Sequence, residues 1–191
     1  MNVAAVTLLL AVGAVSLQAV LCGSVLLGAG GLVVPSLHKL GVEARAAFAT
    51  TAIRVAFAVA AVAMAGSLYF SEVARYPPCR LCWYQRIAVY PLVPLLGIAS
   101  VRRDGTSVRP FAMALPILGI PISSYHMLIE RFPNLESSTC DLANPCSIMW
   151  IDRFGYLTIP TMALTAQVTI LGLLLVAAPS RTPAGAARPG G

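Results

Sequence analysis

Long runs of apolar residues constrain this chain more than any other feature of its sequence. A helix that crosses a lipid bilayer needs about 20 predominantly apolar residues in succession. Five segments of the 191-residue chain meet this requirement, and they cover roughly residues 3–34, 46–70, 83–101, 111–129 and 154–178. The sequence therefore predicts an all-α integral membrane protein that crosses the cell membrane several times.

The composition agrees with this class and excludes others. Charged residues make up 10% of the chain and hydrophobic residues 58%, whereas a soluble domain usually carries about a quarter charged residues. We therefore exclude a soluble globular enzyme, a disordered chain and a nucleic-acid-binding module. The net charge of +6 is better explained by basic loops that set membrane topology than by a nucleic-acid partner.

The first apolar run is longer than one span needs, because no charged residue occurs between Met1 and Lys39. It is too short for two full spans and a turn, so we expect one tilted helix, broken near Gly30 and Gly31 and ended by Pro35. A cleaved signal peptide is the alternative interpretation. The run lacks a basic n-region and its apolar stretch is too long for that kind of segment.

The polar connections fall into two sets that alternate along the chain. One set has seven basic and two acidic residues: Lys39, Glu43, Arg45, Arg102, Arg103, Asp104, Arg109, Arg181 and Arg188. The other has five of each: Glu72, Arg75, Arg80, Arg86, Glu130, Arg131, Glu136, Asp141, Asp152 and Arg153. Since an excess of Lys and Arg marks cytoplasmic loops, the first set is predicted to be cytoplasmic.

This assignment orients the whole chain. Residues 38–45, 102–110 and the C-terminus are predicted to be cytoplasmic, and the N-terminus extracytoplasmic. The loops 71–82 and 130–153 are then also extracytoplasmic. Residues 179–191, rich in Pro, Gly and Ala, are expected to form a disordered cytoplasmic tail.

The cysteines follow the same division. Cys79, Cys82, Cys140 and Cys146 all lie in the two loops predicted to be extracytoplasmic, two in each. Disulfides persist on that oxidising side. Cys22 lies within the first apolar run, where a free cysteine behaves as a small apolar residue, and we assign it no role.

Cys79 and Cys82 form a C-x-x-C motif at the start of the third predicted span. The position near a helix N-terminus, the adjacent Arg80, and Arg86 one turn further on the same face all favour a thiolate at Cys82. An arginine at the membrane is by default a functional candidate, although Arg86 extending to the headgroups is the simpler alternative.

Cys140 and Cys146 enclose a short loop. Short, exposed disulfides are more often labile than structural, although a structural disulfide remains an alternative. A second alternative is a zinc site that uses all four loop cysteines. The spacing of the second pair is wider than zinc sites normally use, and the oxidising side disfavours thiolates, so we assign no metal ligand.

The residues around the C-x-x-C motif resemble a known family. Residues 79–86 read C-R-L-C-W-Y-Q-R, as in the disulfide bond formation protein B (DsbB) family and especially its short-looped BdbC branch. Further matching stretches are G-S-L-Y-F-S-E at 66–72, Y-P-L at 90–92, S-Y-H at 124–126, the Cys140 and Pro145-Cys146 pair, and F-G-Y-L-T-I-P at 154–160. The resemblance covers about residues 46–178.

The resemblance implies a fold and an activity. The family folds as a four-helix transmembrane bundle, here residues 46–178, so residues 1–37 would supply one additional N-terminal transmembrane helix. Family members reoxidise an extracytoplasmic thioredoxin-like oxidase of the DsbA or BdbD type. They pass the electrons to a membrane quinone, here menaquinone or ubiquinone, and so support disulfide bond formation in secreted proteins.

The resemblance also implies residue roles. Cys140 and Cys146 match the pair that exchanges with the partner, with Cys140 in the mixed disulfide. Cys79 and Cys82 match the quinone-side pair, with Cys82 meeting the quinone ring.

Two further residues match quinone contacts of the family, namely Arg86 and His126. A histidine that is simply hydrogen-bonded at a helix end is an alternative for His126.

The second cysteine loop differs from that of the long-looped members of the family. In this chain the loop is too short for a large movement.

Two other functions compete with this oxidase. A transporter or channel is disfavoured, because the spans show no buried charge pair and no inverted repeat. The remaining alternative is a non-catalytic membrane scaffold with structural disulfides or a four-cysteine zinc site. The sequence assigns no function to the additional N-terminal helix.

Overall fold

A computed structural model of the protein describes residues 2–32, 34–102, 107–137, 140–141 and 143–177. Seven α-helices follow one another in these ranges: α1 (Val3–Gly31), α2 (Pro35–Ala49), α3 (Ala52–Leu68), α4 (Arg80–Val89), α5 (Leu92–Arg102), α6 (Arg109–Arg131) and α7 (Ile159–Val176). A π-helical turn, Tyr69–Val73, extends α3, and a short 3₁₀ turn, Pro133–Leu135, follows α6. The tail predicted to be disordered, residues 179–191, lies outside the described residues.

Five helical segments are long and apolar enough to cross a membrane: Val3–Gly31, Ala52–Val73, Arg80–Arg102, Arg109–Arg131 and Ile159–Val176. The predicted all-α membrane fold, with one helix added to a four-helix bundle, is therefore confirmed. The third span consists of α4 and α5, which are separated at Tyr90 and Pro91. Proline has no N–H to donate, so the helix is interrupted there.

The core lies where α3, α5, α6 and α7 meet. Ala56 and Ala60 of α3 are fully buried against Leu92 and Leu96 of α5 and Ile170 of α7. Small residues repeated on one face of a membrane helix let neighbouring helices approach closely. The alanines of α3 therefore set the spacing of the bundle.

A second close approach occurs where α4, α6 and α7 meet at Gly119. A Cβ atom at this position would lie 2.7 Å from Oε1 of Gln167 and 2.8 Å from Cβ of Ala88. The hydroxyl of Ser123 donates to the same Gln167 oxygen at 3.3 Å, which holds the amide in place. The glycine is therefore required by packing.

We expect Gly119→Ala to lower the free energy of unfolding by about 1–3 kcal/mol, because an added methyl group overpacks this junction. Gly172→Ala in α7 is the matched control, since no heavy atom lies within 4 Å of its Cβ position. Thermal unfolding followed by circular dichroism in detergent micelles measures both variants. Equal unfolding midpoints for the two would contradict the close packing at Gly119.

The N-terminal region forms a helical hairpin of α1 and α2. The expected break near Gly30 and Gly31 is confirmed, because α1 ends at Gly31. Pro35 was expected to end the helix and instead begins α2, at a position where proline is tolerated. The two glycines also allow close packing, since their Cβ atoms would lie 2.8 Å from Leu37 and 3.1 Å from His38. Residues 38–45, treated in the sequence analysis as a polar connection, form most of α2, a helix without buried residues.

The two ends of the bundle differ in chemistry. At one end, the guanidinium groups of Arg45 and Arg109 donate to the carbonyl of Leu175, at 3.1 and 3.2 Å. Cations are favourable at a helix C-terminus, where carbonyl groups lack partners within the helix. We call this the basic end. Residues 71–82 and the described residues of the loop 130–153 lie at the opposite end, which we call the cysteine end.

Candidate cysteine site

The two cysteine loops meet over the ends of α4 and α6. Cys79, Cys140 and Cys146 belong to one buried apolar cluster, which also contains Leu81 and Ile129. The loops are joined further by a hydrogen bond, in which the side-chain amide of Asn144 donates to the carbonyl of Pro78 at 3.1 Å. The four loop cysteines predicted as site residues are thus brought together.

Cys79 is the N-cap of α4. Its Sγ accepts a hydrogen bond from the N–H of Cys82 at 3.3 Å and lies 3.0 Å from the Sγ of Cys82. An N-cap residue accepts from the unpaired amides of the first turn. The amide that favours a thiolate is therefore directed at Cys79, whereas the sequence analysis expected the helix terminus to favour Cys82.

His126 lies between the two cysteine pairs. Its side chain is 2% exposed, and its Nε2 lies 3.7 Å from Sγ of Cys79 and 3.0 Å from the carbonyl oxygen of Cys146. Its Nδ1 lies 3.0 Å from Nε2 of Gln85, an amide nitrogen that can only donate. Nδ1 is therefore the acceptor. The N–H at Nε2 then faces both the carbonyl oxygen of Cys146 and Sγ of Cys79.

These contacts lower the pKa of the Cys79 thiol. The hydrogen bond from the Cys82 thiol has the largest effect, and His126 and the Cys82 amide add to it, while burial opposes them. The folded-state pKa lies below the ordinary value of 9.0, so ionisation of Cys79 stabilises the folded, reduced protein fully above pH 9.0. That contribution is lost as the pH falls through the folded-state pKa.

We expect His126→Gln to raise the pKa of Cys79 toward its ordinary value, because the hydrogen bond from the ring to Sγ of Cys79 is lost. In a Cys22→Ser background with both pairs reduced, the ultraviolet absorbance of the thiolate at neutral pH should fall. A titration of that absorbance measures the change. Identical titrations for the variant and its parent would contradict the role of His126.

The second pair forms a disulfide. The Cα atoms of Cys140 and Cys146 are 5.9 Å apart, and the two residues are 9% and 1% exposed. The carboxylate of Glu136 accepts from the N–H of Cys146 at 2.6 Å and from the hydroxyl of Ser147 at 2.7 Å. Cys146 is thus held in place, and Cys140 is the more exposed residue of the pair.

The Cys140–Cys146 disulfide argues against a zinc site that uses all four loop cysteines. Two of the four sulfurs are bonded to each other and cannot act as thiolate ligands in this state. Cys79, Cys82 and His126 nevertheless place three ligand atoms within 4.8 Å of one another, which is close enough to hold a metal ion. A metal analysis therefore belongs with any functional test.

Arg86 points into the bundle. It is 9% exposed, and its Nε and Nη2 donate to the hydroxyl and carbonyl of Ser67 in α3, at 3.1 and 3.3 Å. The guanidinium carbon lies 5.0 Å from the ring centroid of Trp83, and the hydroxyl of Tyr90 also donates to Ser67. These contacts argue against Arg86 extending to the headgroups.

A cavity of about 430 Å³ opens beside Arg86, between α1, α3, α4 and α7. Its polar wall includes Cys82, Gln85 and Arg86, and the rest of the lining is mostly apolar. At the cysteine end, the ring of Tyr76 stacks on Trp150 at 5.2 Å, and both rings line the cavity. Cys82 and Arg86 thus share one cavity, whereas His126, expected at the same place, lies among the cysteines.

Three residues of the site were missed by sequence reasoning. Gln85 lies within the matching stretch 79–86 and was given no role, although it is buried and bonded to His126. Ser67 and Glu136 were not singled out. Ser67 lies within the matching stretch 66–72, which was the only available signal for it, while nothing near Glu136 in the sequence marks it as a partner of Cys146.

The fold and the site define a class: a multi-pass membrane protein whose two cysteine pairs adjoin each other at one end of a helical bundle. The sequence model of the family described as "Disulfide bond formation protein DsbB" matches residues 49–176. The chain therefore belongs to the DsbB family, and the predicted resemblance is confirmed. The matched range begins at the last residue of α2 and leaves out α1.

Curated relatives agree with this assignment. The chain is 46% identical to "Disulfide bond formation protein C" of Bacillus subtilis over 114 residues, which are 59% of this chain and 82% of that protein. It is 39% identical to "Probable disulfide formation protein C 2" of Bacillus anthracis over 124 residues, 65% and 88% of the two chains. For "Probable disulfide formation protein C" of Halalkalibacterium halodurans, the identity is 44% over 112 residues, 58% and 81%. No solved structure matches the chain.

Proposed function

We propose that this protein is a membrane thiol–disulfide oxidoreductase that reoxidises an extracytoplasmic thioredoxin-like protein of the DsbA or BdbD type. It passes the electrons through its two cysteine pairs to a membrane quinone and thereby supports disulfide bond formation in secreted proteins. The observation that carries this proposal is the contact between the two pairs, with Cys82 also lining an apolar cavity beside Arg86. The names of the relatives, disulfide formation proteins, support it.

The proposal includes an orientation. Basic residues at the ends of a membrane bundle favour the cytoplasmic side, so we place the basic end with Arg45 and Arg109 in the cytoplasm. The cysteine end is then extracytoplasmic, where the Cys140–Cys146 disulfide meets its partner under oxidising conditions.

The electron transfer consists of two balanced exchanges. A thiolate of the reduced partner attacks Sγ of Cys140, the more exposed residue of the pair, and the Cys140–Cys146 bond breaks. The partner's second thiolate then attacks the partner sulfur of this mixed disulfide, and the bond to Cys140 breaks. The partner leaves with a disulfide, and Cys140 and Cys146 remain as a dithiol. That dithiol reduces a Cys79–Cys82 disulfide in the same way and becomes a disulfide again, and the electron pair and the two protons now belong to Cys79 and Cys82.

His126 assists the exchange between the pairs. Its Nε2 lies within hydrogen-bonding distance of the Cys146 carbonyl and 3.7 Å from Sγ of Cys79. A proton donor at that position favours the thiolate of Cys79 as a leaving group. His126 therefore acts as a positioning residue between the pairs, which differs from the quinone contact expected from the family.

The cavity beside Cys82 fits a quinone. Its volume of about 430 Å³ lies within the range of small-molecule sites, about 300–1,000 Å³, and apolar walls with a few polar groups are typical of such sites. When bound, a quinone supplies the final acceptor for two electrons and two protons. Cys82 would face it, and Arg86, which Ser67 holds in place, would stabilise negative charge there.

The decisive experiment uses the purified full-length protein in nanodiscs with a reduced thioredoxin-like partner and decyl-ubiquinone. Quinone absorbance should fall only when the partner is present. Cys82→Ser and Cys140→Ser should each abolish the loss, because each interrupts one pair. Cys22→Ser, outside both pairs, should leave it unchanged.

The opposite outcome would support the scaffold alternative. No loss of quinone, together with cysteines that react only after zinc is removed or a strong reductant is added, would overturn the oxidase proposal. Metal content measured on the same sample separates a zinc site that uses Cys79, Cys82 and His126 from a purely structural disulfide.

A further inference from the structure

The helix α1 forms one wall of the cavity that contains Cys82 and Arg86. Leu9, Gly13 and Leu17, spaced by four residues along one face, line that cavity, and Leu10 and Ala14 line it from the adjacent row. The other walls come from α3, α4 and α7. The DsbB match begins only at residue 49, so this wall is a feature of the present chain outside the matched range.

Polar contacts hold α1 against the bundle. The side-chain amide of Gln18 donates to the hydroxyl of Thr165 in α7 at 2.9 Å, and the hydroxyl of Tyr156 donates to the Gln18 oxygen at 2.8 Å. Thr165 itself lines the cavity. Side-chain hydrogen bonds within a membrane fix the rotation of a helix more closely than apolar contacts alone.

A side-chain contact joins α1 to α3 next to the residue that binds Arg86. A Cβ atom at Gly66 would lie 2.9 Å from Cδ1 of Leu10, so the leucine side chain reaches α3 there. The following residue, Ser67, accepts the hydrogen bond from Nε of Arg86. Leu10 of α1 thus lies next to the turn of α3 that binds Arg86.

Gly13 leaves part of the cavity empty. No heavy atom lies within 4 Å of a Cβ atom built at this position, although the residue lines the cavity. At the rim, Leu9 of α1 and Val62 of α3 are 71% and 57% exposed, so the cavity opens to the surface of the bundle between these two helices. A side chain at position 13 would project into this space and not into protein.

From these contacts we infer that α1 is a wall of the quinone site, and that its face at Leu9, Gly13 and Leu17 sets the room available to a bound quinone. The inference rests on the proposed function. It gives the additional N-terminal helix a role as a specificity element, with Gly13 as the position on α1 at which the cavity lining has no side chain.

Quinone binding can be measured apart from turnover. The chain has two tryptophans, of which Trp150 lines the cavity and Trp83 lies beside Arg86. Quenching of their fluorescence by decyl-ubiquinone in nanodiscs gives a dissociation constant. Gly13→Leu should raise this constant about tenfold or more, a change of about 1.4 kcal/mol, because the added side chain occupies the site.

Gly23→Leu is the matched control. Gly23 is an exposed glycine of the same helix that also has no heavy atom near its Cβ position, and it does not line the cavity. Leucine has a higher helix propensity than glycine, so neither change should disrupt α1. We expect the dissociation constant of Gly23→Leu to stay within about twofold of the parent value.

A second measurement does not require the protein to accommodate a leucine at position 13. In a Cys22→Ser background with both native pairs oxidised, Gly13→Cys should be labelled by a lipid-soluble maleimide, and decyl-ubiquinone should slow the labelling. The ring of decyl-ubiquinone is fully substituted, so the quinone does not alkylate the new thiol. Labelling of Gly23→Cys should not respond to the quinone.

The outcomes distinguish this inference from the proposed function. Normal quenching of the parent protein, with no change in Gly13→Leu and no protection of Gly13→Cys, would overturn the role of α1 and leave the oxidase intact. Absence of quenching in the parent, together with absence of quinone-dependent oxidation, would overturn the proposed function and this inference with it.

Discussion

Replacing Arg86 with glutamine is expected to lower kcat/KM for the quinone about 10²–10³-fold, the usual cost of removing one preorganised donor from a site of developing charge. Arg86 is buried and held by two hydrogen bonds to Ser67, so its charge is already positioned beside Cys82. Initial rates of quinone reduction, measured over a range of quinone concentrations with a reduced partner, give the change. The exchange between the partner and Cys140 should be unaffected.

Arg80→Gln is the matched control for this prediction. It removes the same charge from the same helix, but Arg80 is exposed and lies outside the cavity lining. We expect a small effect, because exposed charges are screened by solvent. Equal losses in Arg80→Gln and Arg86→Gln would mean that general positive charge, and not the position of Arg86, is what matters.

The second large effect concerns the two sulfurs of the outer disulfide. In a background that lacks Cys22, Cys79 and Cys82, the Cys146→Ala variant retains only Cys140. We expect it to react almost completely with a thioredoxin-like partner whose single active-site cysteine carries a thionitrobenzoate group. A stable disulfide between Cys140 and the partner forms and thionitrobenzoate leaves, which a non-reducing gel and the absorbance of the released thiolate both report.

The Cys140→Ala variant in the same background retains only Cys146 and should form little of this complex. Cys146 is 1% exposed, its amide is bound by Glu136, and its carbonyl is bound by His126. The sulfur of Cys146 therefore has poor access to the partner's thionitrobenzoate disulfide. Faster reaction of Cys146 than of Cys140 would reverse the proposed order of exchange.

The spans and the cysteine pairs could be predicted from the sequence because they depend on local properties. A run of about 20 apolar residues crosses a bilayer whatever its neighbours are. The motif at 79–86 identified the family because its residues are adjacent along the chain. The break of the third span coincides with Pro91, but proline alone does not predict it, because α6 continues through Pro116 and Pro121.

The details of the site required the tertiary structure. The helix start at Cys79 suggested a thiolate at Cys82, but the N-cap geometry directs the amide hydrogen bond to Cys79. Ser67 and Gln85 became site residues through contacts with Arg86 and His126 that the sequence did not indicate. The hairpin of α1 and α2 was also missed, because the charged residues at 38–45 suggest a polar connection unless their helix and its packing on α1 are known.

The sequence by itself thus determined the membrane class, the number of spans, the pairing of cysteines by loop and the family. These properties follow from hydrophobicity, residue spacing and charge, which are present in the unfolded chain. Only the tertiary structure decided which sulfur receives the amide hydrogen bond, where His126 lies, and that α1 lines the cavity beside Cys82. Those features depend on side chains from separate helices, and their positions are set by how the helices pack against one another.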